Sequence, residues 1–325
     1  MTLRVGIVGC GMIAGGPVKE GRPISGNHAA ACRAVEGVRL VAACDPDPVR
    51  RKAFARTWEI ADTYASTDAM LESSKLDIVI VAAPQEAHEA ACLAAIARGV
   101  RGVLCEKPFT GAATSAKRVT DAASAAGVAV VVNFMRRWDE THRALAQRIA
   151  QGVLGDVREV HASYTGTLRG NGAHFVDTLR MLVPGEWRTG WTSHLAADAA
   201  DGPVDAVLEA DRVRAYVGAV READYFVFES QIIGTKGRAR LLFGGNDVRL
   251  DAPAPHPDYP GYRYLVEAET LPTMTLAGAF TNALSGLVTA VRDGTPVAVP
   301  AAEHVASLGL VDAMMTNATA RRETT

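Results

Sequence analysis

Four short stretches of the sequence carry residues whose types and spacing suit redox or acid–base chemistry. GCGMIA at residues 9–14 puts Gly9, Gly11 and Ala14 at the spacing of a dinucleotide-binding turn. In such a turn the first glycine permits the tight bend, the second lets backbone approach a pyrophosphate, and the small third residue packs helix against strand. Asp45, in AACDPD, is placed to accept hydrogen bonds from an adenosine ribose and to repel a 2'-phosphate, which favours NAD. Arg50 and Arg51 follow closely and leave NADP open. Lys107, in CEKPF, stands beside Pro108, whose ring fixes the local backbone. Partial burial would bring its amine toward the working pH, and its charge would steady a carbonyl or alkoxide. His174, in RGNGAHFVD, is an imidazole at the start of an apolar helix, suited either to moving a proton or to beginning that helix.

These residues need elements to hold them. LRVGIV (3–8), VRLVAAC (38–44), DIVIVA (77–82), GVLC (102–105) and VAVVVN (128–133) are β-branched runs that alternate with Ala-rich helical stretches. Such runs are strands buried on both faces, and the alternation predicts a parallel, doubly wound sheet whose ligands bind at the carboxyl ends of the strands. GCGMIA, Asp45 and CEKPF all fall at such ends. The interval from Gly11 to Asp45 exceeds the usual twenty or so residues. The excess, GGPVKEGRPISGN at 15–27, is rich in Gly and Pro and reads as a loop near the phosphates, where Lys19 or Arg22 could meet an anion or simply be solvated.

After Arg137 the pattern changes. One helix covers about 141–150, GDVREVHASYTG alternates like an antiparallel strand, and further such strands follow between about 204 and 250. The sequence therefore divides into a dinucleotide-binding domain at 1–135 and an α+β domain with an open, mostly antiparallel sheet at 136–325, as a length of 325 residues suggests when domains average roughly 150. Thirty-four basic against 36 acidic side chains leave a net charge of −2, without the basic excess that nucleic acid or a membrane surface attracts, so a small-molecule partner is expected. Cys10, Cys32, Cys44, Cys92 and Cys105 are odd in number and lack zinc-site spacing; they read as buried thiols in a reducing cytoplasm, with no metal. No apolar leader opens the chain, and no run approaches the roughly 18 apolar residues of a membrane span.

VGCGMIA, APQEAH (83–88) and CEKPF (105–109), each at a strand end and in this order, resemble the glucose-fructose oxidoreductase / inositol dehydrogenase / MocA (Gfo/Idh/MocA) family. NFMRRW (133–138), the helix after His174, GTKGRARL (234–241) and the closing GTPVAVP extend the likeness over the rest of the chain. The resemblance implies an NAD(P)-dependent enzyme that moves a hydride between nicotinamide and a secondary alcohol or ketone of a sugar, cyclitol or sugar derivative. It implies Lys107 and His174 as catalytic residues. Gly9, Gly11, Met12, Ile13, Asp45, Pro84, His88, Glu106 and Lys107 would line the cofactor, His88 chiefly by shaping its turn. A homodimer or homotetramer is implied in the same way.

One position departs from the pattern. The family usually carries Asp four residues before the histidine, and Gly170 stands there instead. Asn171, one residue on, can orient a hydroxyl but cannot take its proton. Asp177 lies three residues after His174, turned away from the helix's first turn, and suits orientation of the helix. Arg136, Arg137, Arg169 and Arg180 suggest a substrate bearing phosphate, carboxylate or nucleotide, with Arg137 and Arg169 the candidates to bind it. The missing Asp also leaves open an NAD-binding sensor without turnover, and the family's range leaves open a glycosidase or lyase that uses bound NAD transiently.

Overall fold

The computed structural model describes residues 2–18, 21–194, 201–221 and 224–320. The chain forms two compact units, Met1–Asp139 with Thr275–Ala306 and Glu140–Met274 with Ser307–Thr325. Against the single boundary read from sequence, between 135 and 136, the chain thus returns to the first unit late, at Thr275.

The first unit is built on six parallel strands: β1 (Leu3–Val8), β2 (Val38–Cys44), β3 (Asp62–Tyr64), β4 (Ile78–Val81), β5 (Gly102–Cys105) and β6 (Ala129–Val132). Their order is β3-β2-β1-β4-β5-β6, which reverses between β1 and β4 and opens a crevice at their carboxyl ends. β4 and β5 are buried at every position, the reason the sequence reads there as unbroken apolar runs. β3 was not anticipated: three residues at the sheet edge, none of them buried, carry no periodic signal.

α1 (His28–Ala34), α2 (Pro48–Trp58), α3 (Thr67–Ser73), α4 (His88–Ala97) and α5 (Ala113–Ala126) connect the strands. α1 starts well after the glycine turn. Gly15 and Gly16 bond back to Gly11 as one tight turn, yet the first amides of α1 donate to that same turn, His28 to Ile13 at 3.2 Å and Ala29 to Ala14 at 3.0 Å. The glycine turn and the first turn of α1 are therefore tied together by backbone hydrogen bonds. Asn27 caps α1 by accepting from Ala30 at 2.8 Å.

The second unit begins with α6 (Glu140–Ala150) and contains β7 (Val157–Thr165), α7 (Ala173–Leu182), β8 (Arg188–His194), β9 (Val204–Ala210), β10 (Val213–Val220), β11 (Phe228–Gly234), β12 (Arg238–Leu242), β13 (Asp247–Pro255) and β14 (Arg263–Thr270). The eight strands run β14-β13-β12-β11-β7-β10-β9-β8, antiparallel except for the β7–β10 pair. Strict alternation in β9, with Val204, Ala206, Leu208 and Ala210 buried and the residues between them half-buried, gives the sheet one core face. The sequence pattern predicted this open sheet. It did not mark β8 or the β13–β14 hairpin.

The first unit is closed by α8 (Leu276–Asp293), which carries its N-cap on Thr275 and ends at Gly294 with φ +66°. It packs on α1, β5 and β6 through Phe280, Leu284, Leu287 and Val291. α9 (Ala301–Ala320) ends the described chain. No helix among the described residues is long and apolar enough to cross a membrane.

Candidate active site

In the first unit, the site residues sit where five strands end. Gly9 leaves β1 at φ +93°, and a Cβ there would stand 2.6 Å from the Ala82 carbonyl oxygen, so only glycine fits. A Cβ on Gly11 would meet nothing within 4 Å. That open backbone, beside a turn whose outer residue Met12 is 55% exposed and whose Ala14 is fully buried, is the cradle a pyrophosphate requires. Ile13 is half-buried between them.

Asp45, at the end of β2, is buried and already holds two backbone amides, Cys10 at 2.9 Å on one oxygen and Asp47 at 2.9 Å on the other. The carboxylate therefore ties the glycine turn to the neighbouring strand, and each oxygen keeps a lone pair for a ribose hydroxyl. Arg51 folds back to the Asp45 carbonyl at 2.6 Å, while Arg50 faces Asp47 at the surface, 3.5 Å away. The cation that could receive a 2'-phosphate is therefore Arg51. Arg22 is exposed, and Lys19 lies outside the described residues. All five cysteines are free and buried, and burial pushes the Cys10 and Cys32 thiols up to about 12, which disfavours their thiolate forms.

Pro84 is exposed on the turn after β4. His88 opens α4 fully inside the protein, with Nδ1 2.9 Å from the Pro108 carbonyl and Nε2 2.8 Å from the Ala83 carbonyl. Its ring thus staples the Pro84 turn to the turn that carries Lys107. What it contributes toward a cofactor is the position of those two turns.

Lys107 follows β5 and is half-buried, with a cis peptide to Pro108. Burial holds its amine below the ordinary lysine value; Glu106 works in the opposite direction, and Arg136 adds to the depression. Glu106 itself is buried. Its Oε1 accepts from His28 Nε2 at 2.9 Å and Asn133 Nδ2 at 2.7 Å, and its Oε2 accepts from the Lys107 amide at 3.1 Å. His28 and Asn133 were not singled out in the sequence: one is 78 residues away, and no local pattern marks it. Arg136 and Arg137 are buried on the short turn after β6.

In the second unit, residues 168–172 form one wide turn that leads directly into α7. Thr167 caps it by accepting from the Gly170 amide at 3.0 Å. A Cβ on Gly170 would come 2.9 Å from that Thr167 hydroxyl, so the position where the family carries Asp has room once the cap rotates. Asn171 donates to the Thr165 carbonyl at 2.6 Å, which leaves its amide oxygen as an acceptor. Arg169 pairs with Asp312 at 2.9 Å. His174 is buried in the first turn of α7, its ring edge-on to Phe228 with centroids 6.4 Å apart. Asp177 is buried one turn later, with the Ser307 hydroxyl at 3.3 Å. Arg180 follows on the last turn.

Comparison with known proteins agrees with this frame. A family model described as an oxidoreductase family with an NAD-binding Rossmann fold matches residues 3–134. Inositol 2-dehydrogenase of Burkholderia cenocepacia (strain HI2424) is 28% identical over 261 residues, 74% of each chain. Inositol 2-dehydrogenase 4 of Saccharopolyspora erythraea is 33% identical over 221 residues, 63% of this chain and 62% of that one. Among solved structures, KijD10, a 3-ketoreductase from Actinomadura kijaniata in complex with NADP, superposes with a TM-score of 0.80 at 21% identity, covering 98% of each chain. Residues 3–134 thus match an oxidoreductase family with an NAD-binding Rossmann fold, and the likeness to solved structures extends over the fold of nearly the whole chain.

Proposed function

We propose that the protein is an NAD(P)-dependent dehydrogenase or reductase acting on the CH–OH group of a sugar, cyclitol or sugar derivative. The observation that carries this reading is Lys107, a half-buried amine with a depressed pKa in the same unit as a glycine turn open to phosphate. The bound nicotinamide supplies the hydride acceptor or donor, and the protein supplies position and charge. Gly9, Gly11, Met12 and Ile13 receive the diphosphate, and Asp45 receives the adenosine ribose. NAD is the preferred cofactor, with Arg51 as the route to NADP.

Lys107 and His174 divide the acid–base work on the substrate hydroxyl, and the free amide oxygen of Asn171 orients that hydroxyl. Arg137 meets an acidic group on the substrate; Arg169 can do so only by sharing itself with Asp312. Positioned proton transfer is worth roughly 10²- to 10⁴-fold, so Gly170 in place of Asp is compatible with turnover by the remaining pair. The relatives named inositol 2-dehydrogenase support a cyclitol or sugar substrate. A working homodimer or homotetramer in the cytoplasm completes the reading.

Gly170 favours one second reading, an NAD-binding sensor without turnover. The test is a titration with NAD and NADP, followed by absorbance of the reduced nicotinamide across cyclitols, sugars and nucleotide sugars. Turnover that vanishes in both Lys107→Met and His174→Ala supports the dehydrogenase. Tight cofactor binding with no redox change on any substrate refutes it in favour of the sensor, and product release without net NADH points to the transient use of NAD by a glycosidase or lyase.

A further inference from the structure

We propose that His28 is a positioning residue for Lys107: together with Asn133 it clamps the buried Glu106 carboxylate, which fixes the Lys107 turn and keeps a negative charge beside the amine. The inference rests on the dehydrogenase reading only for the use made of Lys107. The clamp itself rests on geometry within the first unit.

Glu106 is a carboxylate with almost no access to water, and such a group persists as an anion only when its lone pairs are met by donors. Three meet it, at 2.7, 2.9 and 3.1 Å, from Asn133, His28 and the Lys107 backbone. A carboxylate only accepts, so the His28 nitrogen facing it carries a proton. The donors are not there for their own satisfaction. His28 Nδ1 and Asn133 Oδ1 are both buried without a hydrogen-bond partner among the described residues, so each side chain gives its donor to Glu106 and leaves its other polar atom unmet. Each such orphan weakens the folded state. An apolar trio of similar volume would serve stability better, so the arrangement points to a task for the charge.

The His28 ring is held for this role from two sides. It is the first residue of α1, immediately after the Asn27 cap, and its edge meets Phe280 of α8 with centroids 4.8 Å apart. The ionisable groups that bear on this corner are His28 from α1, Cys105 at the end of β5, and Arg136 from the turn after β6, besides Glu106 and Lys107 themselves. Arg136 and burial both disfavour a charged Lys107, and Glu106 alone opposes them. Without the His28 donor, the Glu106 charge becomes costlier; the side chain takes a proton or swings away, and Lys107 loses the counter-charge that Glu106 provides.

The experiment follows the pH dependence of Lys107 reductive methylation by formaldehyde and cyanoborohydride, read by mass spectrometry on full-length protein without cofactor or substrate. Glu106→Gln and His28→Leu both move the labelling midpoint of Lys107 to lower pH. His28→Gln, whose amide reaches the Glu106 oxygen without the ring, leaves it at the wild-type position. His28→Asn, too short to reach, behaves as His28→Leu and serves if the leucine variant does not fold. A midpoint unchanged in a folded His28→Leu or His28→Asn protein, or one displaced equally by His28→Gln, overturns the clamp. The pH profile of turnover moves with the labelling midpoint if the dehydrogenase reading also holds. A labelling shift in a protein that turns over nothing leaves the clamp standing and defeats that reading; wild-type turnover with no labelling shift does the reverse.

Discussion

Replacing Asp45 by alanine tests whether this carboxylate is a ribose ligand alone or also a structural tie. It accepts from the Cys10 and Asp47 amides, each at 2.9 Å. The Cys10 amide is buried, and leaving it unpaired costs about 1–3 kcal/mol, whereas water replaces most of the bond to Asp47 at a cost nearer 1 kcal/mol. The sum, about 2–4 kcal/mol, corresponds to a fall in Tm of about 5–15 °C for a unit of this size. Cofactor binding is hit twice, by the lost ribose contacts and by a looser glycine turn, so NAD affinity falls by about 10- to 100-fold. NADP suffers less, because the charge that repels a 2'-phosphate is gone and Arg51 is already in place. Calorimetric melting and isothermal titration with both dinucleotides measure all three quantities. An Asp45→Ala protein that melts at the wild-type temperature and loses only NAD affinity refutes the structural half of the reasoning.

Other outcomes follow from the same geometry. Gly9→Ala forces a Cβ to within 2.6 Å of the Ala82 carbonyl at a backbone angle costing about 1–3 kcal/mol, and abolishes dinucleotide binding in titrations. In the oxidative direction, activity rises with pH through a Lys107 titration that burial sets below 10.5, since only the neutral amine accepts a proton; Lys107→Met removes that limb from the profile. Burial alone pushes the Glu106 carboxyl up, but His28, Asn133 and the Lys107 amide outweigh it and leave it below the ordinary 4.5. Its stabilisation is therefore complete above about 4.5 and is lost as pH falls through the folded value, so urea melts of Glu106→Gln show a shallower loss of stability in acid than wild type.

Much of the first sheet was legible because its strands are buried on both faces. β1, β2 and β5 begin and end where the β-branched runs do, and the motifs at their ends need particular backbone angles or particular atoms. Gly9 and Lys107 are visible for that reason. The rest depends on distance along the chain. His28 meets Glu106 from 78 residues away, and α8 joins the first sheet from beyond the whole antiparallel domain, so neither leaves a local mark. Periodicity assigns α8 an apolar face but not the sheet that covers it. Arg169 shows the opposite failure: a cation beside a site motif invites a substrate role, and only the fold shows Asp312 beside it.

The tied turn after β1 has an architectural consequence. Since the amides of His28 and Ala29 close onto Ile13 and Ala14, the two ends of the intervening segment are pinned together. Segment length is thereby uncoupled from the geometry of the phosphate cradle, and lengthening such a closed loop costs only about 0.6 kcal/mol per doubling. The fold carries a port at the mouth of its cofactor crevice, where new sequence can be grafted without altering the frame that holds Gly11 and Asp45.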